Sequence, residues 1–328
     1  MRAYYHCAAV YRIGFRSEEF VRTDFLSCIQ QTTIIIFMGR SISNRLLELL
    51  IHDKNCWDAQ TYDEVSRLVQ HRWGQQVLDW RKWDGDEIVM DAGCGSGLLT
   101  KLLAKKVPKG KVYAVDMDSN MIRQTKRNLK DLENVELLLQ SDFAHVKLTT
   151  KLDVIFSNAA LHWAHDYTQV FQHFWKMLNC DKTRTRQLLI QCGGYGNLRR
   201  ILTLLLRVMK FNEFKVYFAN MNQSWYFAKP DDTSKLLGEI GYINTKVHAL
   251  HNDCVNLADR EIYSRFVKAV IMKPFLEHLP DDKMRNRYLE LFLEEVEKRS
   301  NSTSNNKSQT PWSLDFVRLN IIADNPWN

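Results

Sequence analysis

Met90-Asp91-Ala92-Gly93-Cys94-Gly95-Ser96-Gly97 lies where an apolar run gives way to a helical pattern. Residues 87–91 are typical of a buried parallel strand, and residues 98–106 have the spacing of a helix. The glycines let the backbone bend tightly and let a ligand approach main-chain N–H groups. A glycine-rich turn alone fits a structural loop equally well, so its surroundings must decide between the two.

Strand and helix alternate along the chain beyond this turn. The predicted strands cover residues 111–116, 135–139, 152–156, 187–191, 242–250 and 313–323. The predicted helices cover residues 119–132, 198–211, 231–240 and 259–298, with two more in 41–83. This order predicts an α/β fold with a Rossmann-like, doubly wound and mostly parallel sheet, preceded by N-terminal helices and carrying a helical insertion. Residues 313–323 are expected to close the sheet as its last strand.

We divide the chain into an N-terminal extension, residues 1–40, and a catalytic domain, residues 41–328. Helices elaborate the catalytic domain at about 198–240 and 259–298. The apolar stretch 34–37 is far too short to cross a bilayer. Because Met38 follows it, the functional chain is expected to start near Met38. The alternative is that the extension is a peripheral helix packed on the core.

The composition is that of an ordinary globular protein. The 328 residues are 45% hydrophobic and 25% charged, with a net charge of +7. The basic residues are scattered, which suits an anionic small substrate or weak nucleic-acid affinity, and a dedicated nucleic-acid partner is disfavoured. Seven cysteines without a C-x-x-C pair or zinc spacing predict a reduced, cytoplasmic chain with no structural disulfide or metal. No membrane partner is expected.

The spacing of the glycines in the turn argues against a dinucleotide. Leu98 stands where a dinucleotide-binding turn would place its third glycine, and the tighter spacing of Gly93, Gly95 and Gly97 suits S-adenosylmethionine, which has no pyrophosphate.

Acidic residues follow the second and third predicted strands. Asp116 is positioned to accept both ribose hydroxyls, the alternative being a helix-capping or solvated aspartate. Asp142 can accept from the adenine amino group, and Phe143 can pack on the ring.

The turn after the fourth strand reads Asn158-Ala-Ala-Leu-His162-Trp163. In open α/β sheets the ligand crevice lies outside the carboxyl ends of the strands. Asn158, His162 and Trp163 are therefore expected to face the methyl group of an S-adenosylmethionine bound in this crevice. A buried structural histidine is the alternative for His162.

Together with Trp57-Asp-Ala-Gln-Thr-Tyr62, these motifs resemble class I S-adenosylmethionine-dependent methyltransferases. The chain is most similar to the subgroup of trans-aconitate and insect juvenile hormone acid methyltransferases. The resemblance runs from about residue 57 to 196 and resumes at Phe316-Val-Arg-Leu-Asn320. The glycine motif is shared by the whole superfamily, whereas the Asn158–Trp163 turn is much more specific.

The resemblance implies S-adenosylmethionine as cofactor and a lid over it that contains Trp57 and Tyr62. Gln70, His162 and Trp163 are then expected in the substrate pocket as catalytic residues. The full set expected to bind the cofactor is Trp57, Tyr62, Asp91, Gly93, Cys94, Gly95, Gly97, Asp116, Met117, Asp142, Phe143 and Asn158. Tyr195, Arg199, Arg200 and Trp225 could complete the pocket wall or bind an anionic tail.

We therefore predict an enzyme that transfers a methyl group to a small molecule, at a carboxylate oxygen. Residues 179–186 replace the Pro-Gly-Gly-type turn of the family, and residues 198–225 have no match, so the acceptor's identity stays open. The alternatives are a methyltransferase acting on RNA or protein and a catalytically silent, methyltransferase-like partner protein. Intact glycines and Asp116 disfavour the silent alternative. The oligomeric state is open.

Overall fold

The computed structural model describes residues 71–138, 142–178, 185–222, 224–302 and 311–326. Its centre is a seven-stranded sheet in the order β3-β2-β1-β4-β5-β7-β6. The strands are β1 (Ile88–Ala92), β2 (Lys111–Val115), β3 (Val135–Leu138), β4 (Val154–Asn158), β5 (Arg186–Gly193), β6 (Ile243–Asn256) and β7 (Ser313–Asn325). Strands β1 to β5 are parallel, and β7 runs antiparallel to β5 and β6. The predicted α/β class with a mostly parallel sheet is confirmed.

Helices cover both faces of the sheet and extend beyond its edge. They are α1 (Arg72–Leu78), α2 (Leu98–Lys106), α3 (Ser119–Asn128), α4 (Tyr167–Met177), α5 (Arg199–Val208), α6 (Pro230–Ile240), α7 (Arg260–Phe266), α8 (Lys273–Leu276) and α9 (Asp282–Ser302). A 3₁₀ turn covers Leu161–Trp163, and a π-helical turn covers Val267–Ile271. None of the helices in the described part of the chain combines the length and apolar character that crossing a bilayer requires.

Two apolar layers enclose the sheet. On one face, Leu103 and Ala104 of α2 pack in a cluster with Val89, Val112 and Val154. The opposite face belongs to a cluster that joins α4 to the sheet through Phe171, Phe174, Met90, Ile155 and Leu188. Because both faces are covered, the strands have the near-continuous apolar sequence that made them predictable.

Strand β7 differs from its prediction, because it does not close the sheet at an edge. It lies between β5 and β6, and β6 forms the edge. Most residues of β7 are buried, as expected for a strand covered on both faces, whereas the outer strand β6 exposes residues such as Ile243 and Leu250. The local pattern identified the strand but not its neighbours.

Helix α4 joins β4 to β5 and was not predicted. It begins after Asp166, whose carboxylate accepts the Gln169 N–H at 3.0 Å as an N-cap. Val170, Phe171 and Phe174 recur at helical spacing and are buried. The capping residue and the spacing were both visible in the sequence.

Helices α5, α7, α8 and α9 contribute to a separate apolar cluster beside the sheet. Leu205 of α5 packs with Tyr263 of α7 and with Tyr288 and Phe292 of α9. The Tyr288 hydroxyl donates to the Leu205 carbonyl at 2.8 Å. This cluster also contacts the ring of Trp163 and so borders the carboxyl end of β4. The N-terminal extension and the 40/41 boundary lie outside the described residues and stay predictions.

Candidate functional site

A cleft of about 480 Å³ lies at the carboxyl ends of β1, β2 and β4. Trp57, Tyr62 and Gln70 lie outside the described residues, and Gly97 does not border the cleft. The structure brings the other predicted residues together: Asp91, Gly93, Cys94, Gly95, Asp116, Met117, Asp142, Phe143, Asn158, His162 and Trp163 all line it.

The glycine turn fits against the neighbouring strand ends. The N–H groups of Gly93 and Cys94 donate to the Val115 carbonyl at 2.8 and 2.9 Å. Gly93 has φ +80°, and a Cβ there would lie 2.2 Å from Ala160 Cβ. Gly97 does not touch the cleft but is the left-handed residue from which α2 starts. The turn therefore requires glycine for backbone shape and for close packing.

Asp116 is fixed by backbone donors at the end of β2. Its Oδ2 accepts the Gly95 N–H and its Oδ1 accepts the Asp118 N–H, both at 2.9 Å. Burial raises the pKa of Asp116, and these hydrogen bonds oppose that rise. Each carboxylate oxygen has two lone pairs, so each can accept one further hydroxyl. This arrangement suits the adjacent hydroxyls of a ribose.

Asp91 lies beneath the glycine turn and is 2% exposed. Its Oδ2 accepts from the Thr100 hydroxyl at 2.7 Å. Burial raises the pKa of Asp91 to about 7, the Thr100 hydrogen bond opposes that rise, and the nearby Asp116 adds to it. A cation bound in the cleft would favour the ionised form. Burial likewise raises the pKa of Cys94, so its thiol stays protonated and serves as a contact surface.

Asp142 and Phe143 form the far wall of the cleft. Asp142 Oδ1 accepts the Ala144 N–H at 2.9 Å, and both its oxygens lie 2.8 Å from His145 Nδ1. The Phe143 ring lies 3.5 Å from the point that a Cβ on Gly93 would occupy. An aromatic face and a carboxylate are therefore side by side, as an adenine ring with its amino group requires.

His162 lies in the 3₁₀ turn after β4, where it is partly buried beside β5. Its Nδ1 accepts the Gly193 N–H at 3.2 Å. Burial lowers the pKa of His162 to about 4. The ring is therefore neutral near pH 7, and because Nδ1 is the acceptor, the proton resides on Nε2. His162 can donate a hydrogen bond but is a weak base.

Aromatic rings continue the wall beyond His162. Trp163 packs edge-on against Trp225 with ring centroids 5.5 Å apart, and His162 lies 5.9 Å from Phe227. Of the four residues suggested for the wall, Trp225 is buried and lines a smaller adjoining cavity rather than the cleft itself. The other three do not border the cleft: Tyr195 is 63% exposed, Arg199 is exposed, and Arg200 donates to the Ser313 carbonyl at 2.7 Å.

Sequence reasoning missed the wall that comes from the π-helical turn and α8. Val270, Lys273 and His278 border the cleft. Lys273 Nζ lies 3.5 Å from Asp118 Oδ2, which links α8 to the turn after β2. No local sequence motif indicated that these residues belong to the site, because they lie more than a hundred positions from the glycine turn and do not directly follow a strand.

The residues of the cleft fit S-adenosylmethionine. Asp116 offers acceptors for a ribose, Phe143 and Asp142 suit an adenine, and the glycine turn leaves room for a ligand beside Gly95, where a Cβ would meet nothing within 4 Å. The buried carboxyl of Asp91 would ionise more fully beside a bound cation, because a nearby positive charge favours the carboxylate form.

Comparison with known proteins points to the same class. A methyltransferase domain family matches residues 89–181. Malonyl-[acyl-carrier protein] O-methyltransferase of Calditerrivibrio nitroreducens is 26% identical over 234 residues, 66% of this chain and 89% of that protein. Trans-aconitate 2-methyltransferase of Escherichia coli is 34% identical over 93 residues, 28% of this chain and 35% of that enzyme.

Among solved structures, the fold is similar to that of phosphoethanolamine N-methyltransferase 2 of Haemonchus contortus, which was solved with S-adenosylhomocysteine. The TM-score is 0.51 at 14% identity, covering 82% of this chain and 57% of that one. A methyltransferase domain therefore covers residues 89–181, and the predicted class I methyltransferase fold and S-adenosylmethionine cofactor are confirmed.

Proposed function

We propose that this enzyme transfers the methyl group of S-adenosylmethionine to a carboxylate oxygen of a small molecule. The observation that carries the proposal is the neutral, partly buried His162 beside aromatic rings at the end of β4. An alcohol or ammonium acceptor would need a base there, and His162 is too weak a base to serve. A carboxylate is already ionised at neutral pH and needs only orientation.

The proposed cofactor contacts follow from the cleft. Asp116 would hold the ribose hydroxyls, Asp142 and Phe143 would hold the adenine, and the backbone at Gly93 and Gly95 would lie against the amino-acid end. Trp57 and Tyr62 stay predicted as lid residues, and Gln70 as a substrate-pocket residue. When bound, S-adenosylmethionine would supply a methyl carbon for attack by a carboxylate oxygen, with the C–S bond breaking as the O–C bond forms, to give a methyl ester and S-adenosylhomocysteine without release of a proton.

The acceptor site would be formed by His162, Trp163 and Trp225. His162 Nε2–H can donate to the acceptor, which fixes its orientation, and the tryptophans exclude water. Holding the acceptor in attack geometry can contribute about 7–11 kcal/mol to the barrier reduction of such two-reactant steps.

Relatives support the carboxylate. Two are named for methylation of malonyl-[acyl-carrier protein] and of trans-aconitate, both of which carry carboxylates. An RNA or protein acceptor and a silent partner protein have no comparable support. We assign the reaction to the cytoplasm, in keeping with the reduced cysteines Cys94 and Cys192.

A labelling experiment tests the acceptor. The purified chain is incubated with methyl-labelled S-adenosylmethionine and one candidate acceptor at a time. The acids are trans-aconitate, malonate and hexanoate, the neutral probe is hexanamide, and the amine probe is hexylamine. We expect label transfer to at least one acid and to neither neutral nor amine probe. Because methyl esters hydrolyse in mild base, the transferred label should be released as volatile methanol. Label that stays bound to its acceptor in base would contradict a carboxylate acceptor.

A further inference from the structure

A second, smaller cavity of about 60 Å³ adjoins the cofactor cleft. The two share Asn158, Ala159, His162 and Val270 as common wall residues. The smaller cavity lies at the ends of β5 and β7 beneath α1. Its aromatic wall consists of Trp73, Trp225, Phe227 and Phe316. Because His162 borders both spaces, an acceptor carboxylate beside His162 would also adjoin the walls of the smaller cavity.

One cationic side chain borders this largely apolar space among its lining residues. Arg318, on β7, is 7% exposed. Its guanidinium carbon lies 4.3 Å from the centroid of the Trp73 ring, within the range of a cation–π contact. Its Nη1 lies 3.5 Å from Gln76 Oε1 and 3.4 Å from Gln191 Oε1. Stacking and these amide oxygens hold the guanidinium at the cavity wall.

A chain of polar side chains on the same face of the sheet fixes the orientation of Gln191. Its Nε2 donates to Asn320 Oδ1 at 2.8 Å, and Asn320 Nδ2 lies 3.2 Å from His248 Nε2. Gln191 and Asn320 are paired in the β5–β7 ladder, two positions from the pair Gly193 and Arg318. With its amide nitrogen engaged by Asn320, Gln191 presents its oxygen to Arg318.

The charge of Arg318 persists in this setting. Burial lowers the pKa of Arg318 to about 10, which leaves the guanidinium protonated near pH 7. A guanidinium at a cavity wall gives that wall a positive electrostatic potential, which favours an anion over a neutral molecule. A guanidinium also offers two parallel N–H donors that match the two oxygens of a carboxylate.

We propose that Arg318 binds the carboxylate of the methyl acceptor and thereby determines the preference of the enzyme for acids over neutral molecules. The inference rests on the proposed carboxyl methylation and assigns it a specificity residue. The aromatic wall then contacts the apolar body of the acceptor. Gln191 and Gln76 are positioning residues that act through Arg318.

Calorimetric titration of the full chain saturated with S-adenosylhomocysteine tests this assignment. Hexanoate and the neutral hexanamide are the matched probes, since their chains are identical. The unaltered chain should bind hexanoate at least about tenfold more tightly, because truncating a buried charge pair typically changes affinity by roughly 30-fold or more. Arg318→Gln should abolish that preference while leaving the affinity for S-adenosylhomocysteine within about threefold.

Arg318→Lys serves as the second variant, because Arg318 is buried and its loss could impair folding. Lysine keeps the charge but not the planar fork, so the preference for hexanoate should persist at lower affinity. Equal affinity of the unaltered chain for the two probes, or an Arg318→Gln variant that still prefers hexanoate, would overturn the assignment. Base-labile methylation that survives in Arg318→Gln would leave the proposed function standing while refuting Arg318. A chain that prefers hexanoate but forms no base-labile product would refute only the proposed function.

Discussion

His162 illustrates how burial sets the chemistry of a single residue. The same imidazole that is half protonated near its ordinary pKa of 6.5 has a pKa of about 4 in the folded chain. Desolvation accounts for the change, because the protonated ring loses its water and gains no anionic partner that would raise the pKa. The residue is thereby converted from a proton carrier into a fixed hydrogen-bond donor.

This shift predicts an acid-sensitive contribution to stability. The unfolded chain binds the His162 proton more tightly, so the contribution is complete above pH 6.5 and is lost as the pH falls through 4. The difference of about 2.5 pKa units corresponds to roughly 3 kcal/mol. Relative to the unaltered chain, His162→Asn should therefore become progressively more stable between pH 6.5 and 4 in urea unfolding.

The pH dependence must be measured as a difference between His162→Asn and the unaltered chain, because the effect of Asp91 on stability changes with pH in the opposite direction. Burial raises the pKa of Asp91 to about 7, so the fold favours its protonated form and loses that contribution as the pH rises through about 7. The difference between His162→Asn and the unaltered chain cancels the Asp91 contribution. A stability difference that does not vary with pH would show that folding does not favour the neutral form of His162.

At the scale of elements, the turn from β1 to α2 provides a matched pair of glycines. Gly93 and Gly95 both have positive φ, +80° and +56°, but only Gly93 lies against a neighbour. Gly95→Ala should lower the free energy of unfolding by about 1–2 kcal/mol through backbone strain alone. Gly93→Ala should lower the free energy of unfolding by about 1–3 kcal/mol more than Gly95→Ala does, because its Cβ would overlap Ala160.

Urea unfolding of the two variants measures this difference without reference to the ligand. Equal free energies of unfolding would mean that the turn can move away from the β4 loop, and the close approach at Ala160 would then not be needed. A larger loss for Gly95→Ala would contradict the geometry of the turn itself.

Elements with a local signal could be predicted, and pairings could not. The apolar runs of β1, β2 and β4 each end in a glycine, acidic or amide residue, so both the strands and the nearby cleft residues followed from the sequence. The position of β7 depends on contacts between residues far apart in the chain, such as Gln191 with Asn320. Helix α4 differs from β7 in this respect. Its N-cap residue and its helical spacing are local features of the sequence, although the sequence analysis did not predict the helix.

At the scale of the whole molecule, the cleft combines parts with very different sequence signals. Asp116 and Phe143 follow strands and were predicted to lie near the cofactor. Lys273 reaches the cleft, and Phe227 reaches the adjoining cavity, from segments whose approach depends on tertiary packing. Arg318 borders that cavity from a strand whose sequence gives no local sign of a site. The cofactor half of the cleft was therefore more predictable than the acceptor half.

Calorimetric titration with S-adenosylmethionine and S-adenosylhomocysteine tests the central claim most directly. We predict micromolar binding by the unaltered chain and at least about tenfold weaker binding by Asp116→Ala, since hydrogen bonds to a charged group contribute roughly 1.5–3 kcal/mol. The exposed Asp131→Ala is the matched control and should bind like the unaltered chain. Absence of binding by the unaltered chain, or equal binding by Asp116→Ala, would contradict the account.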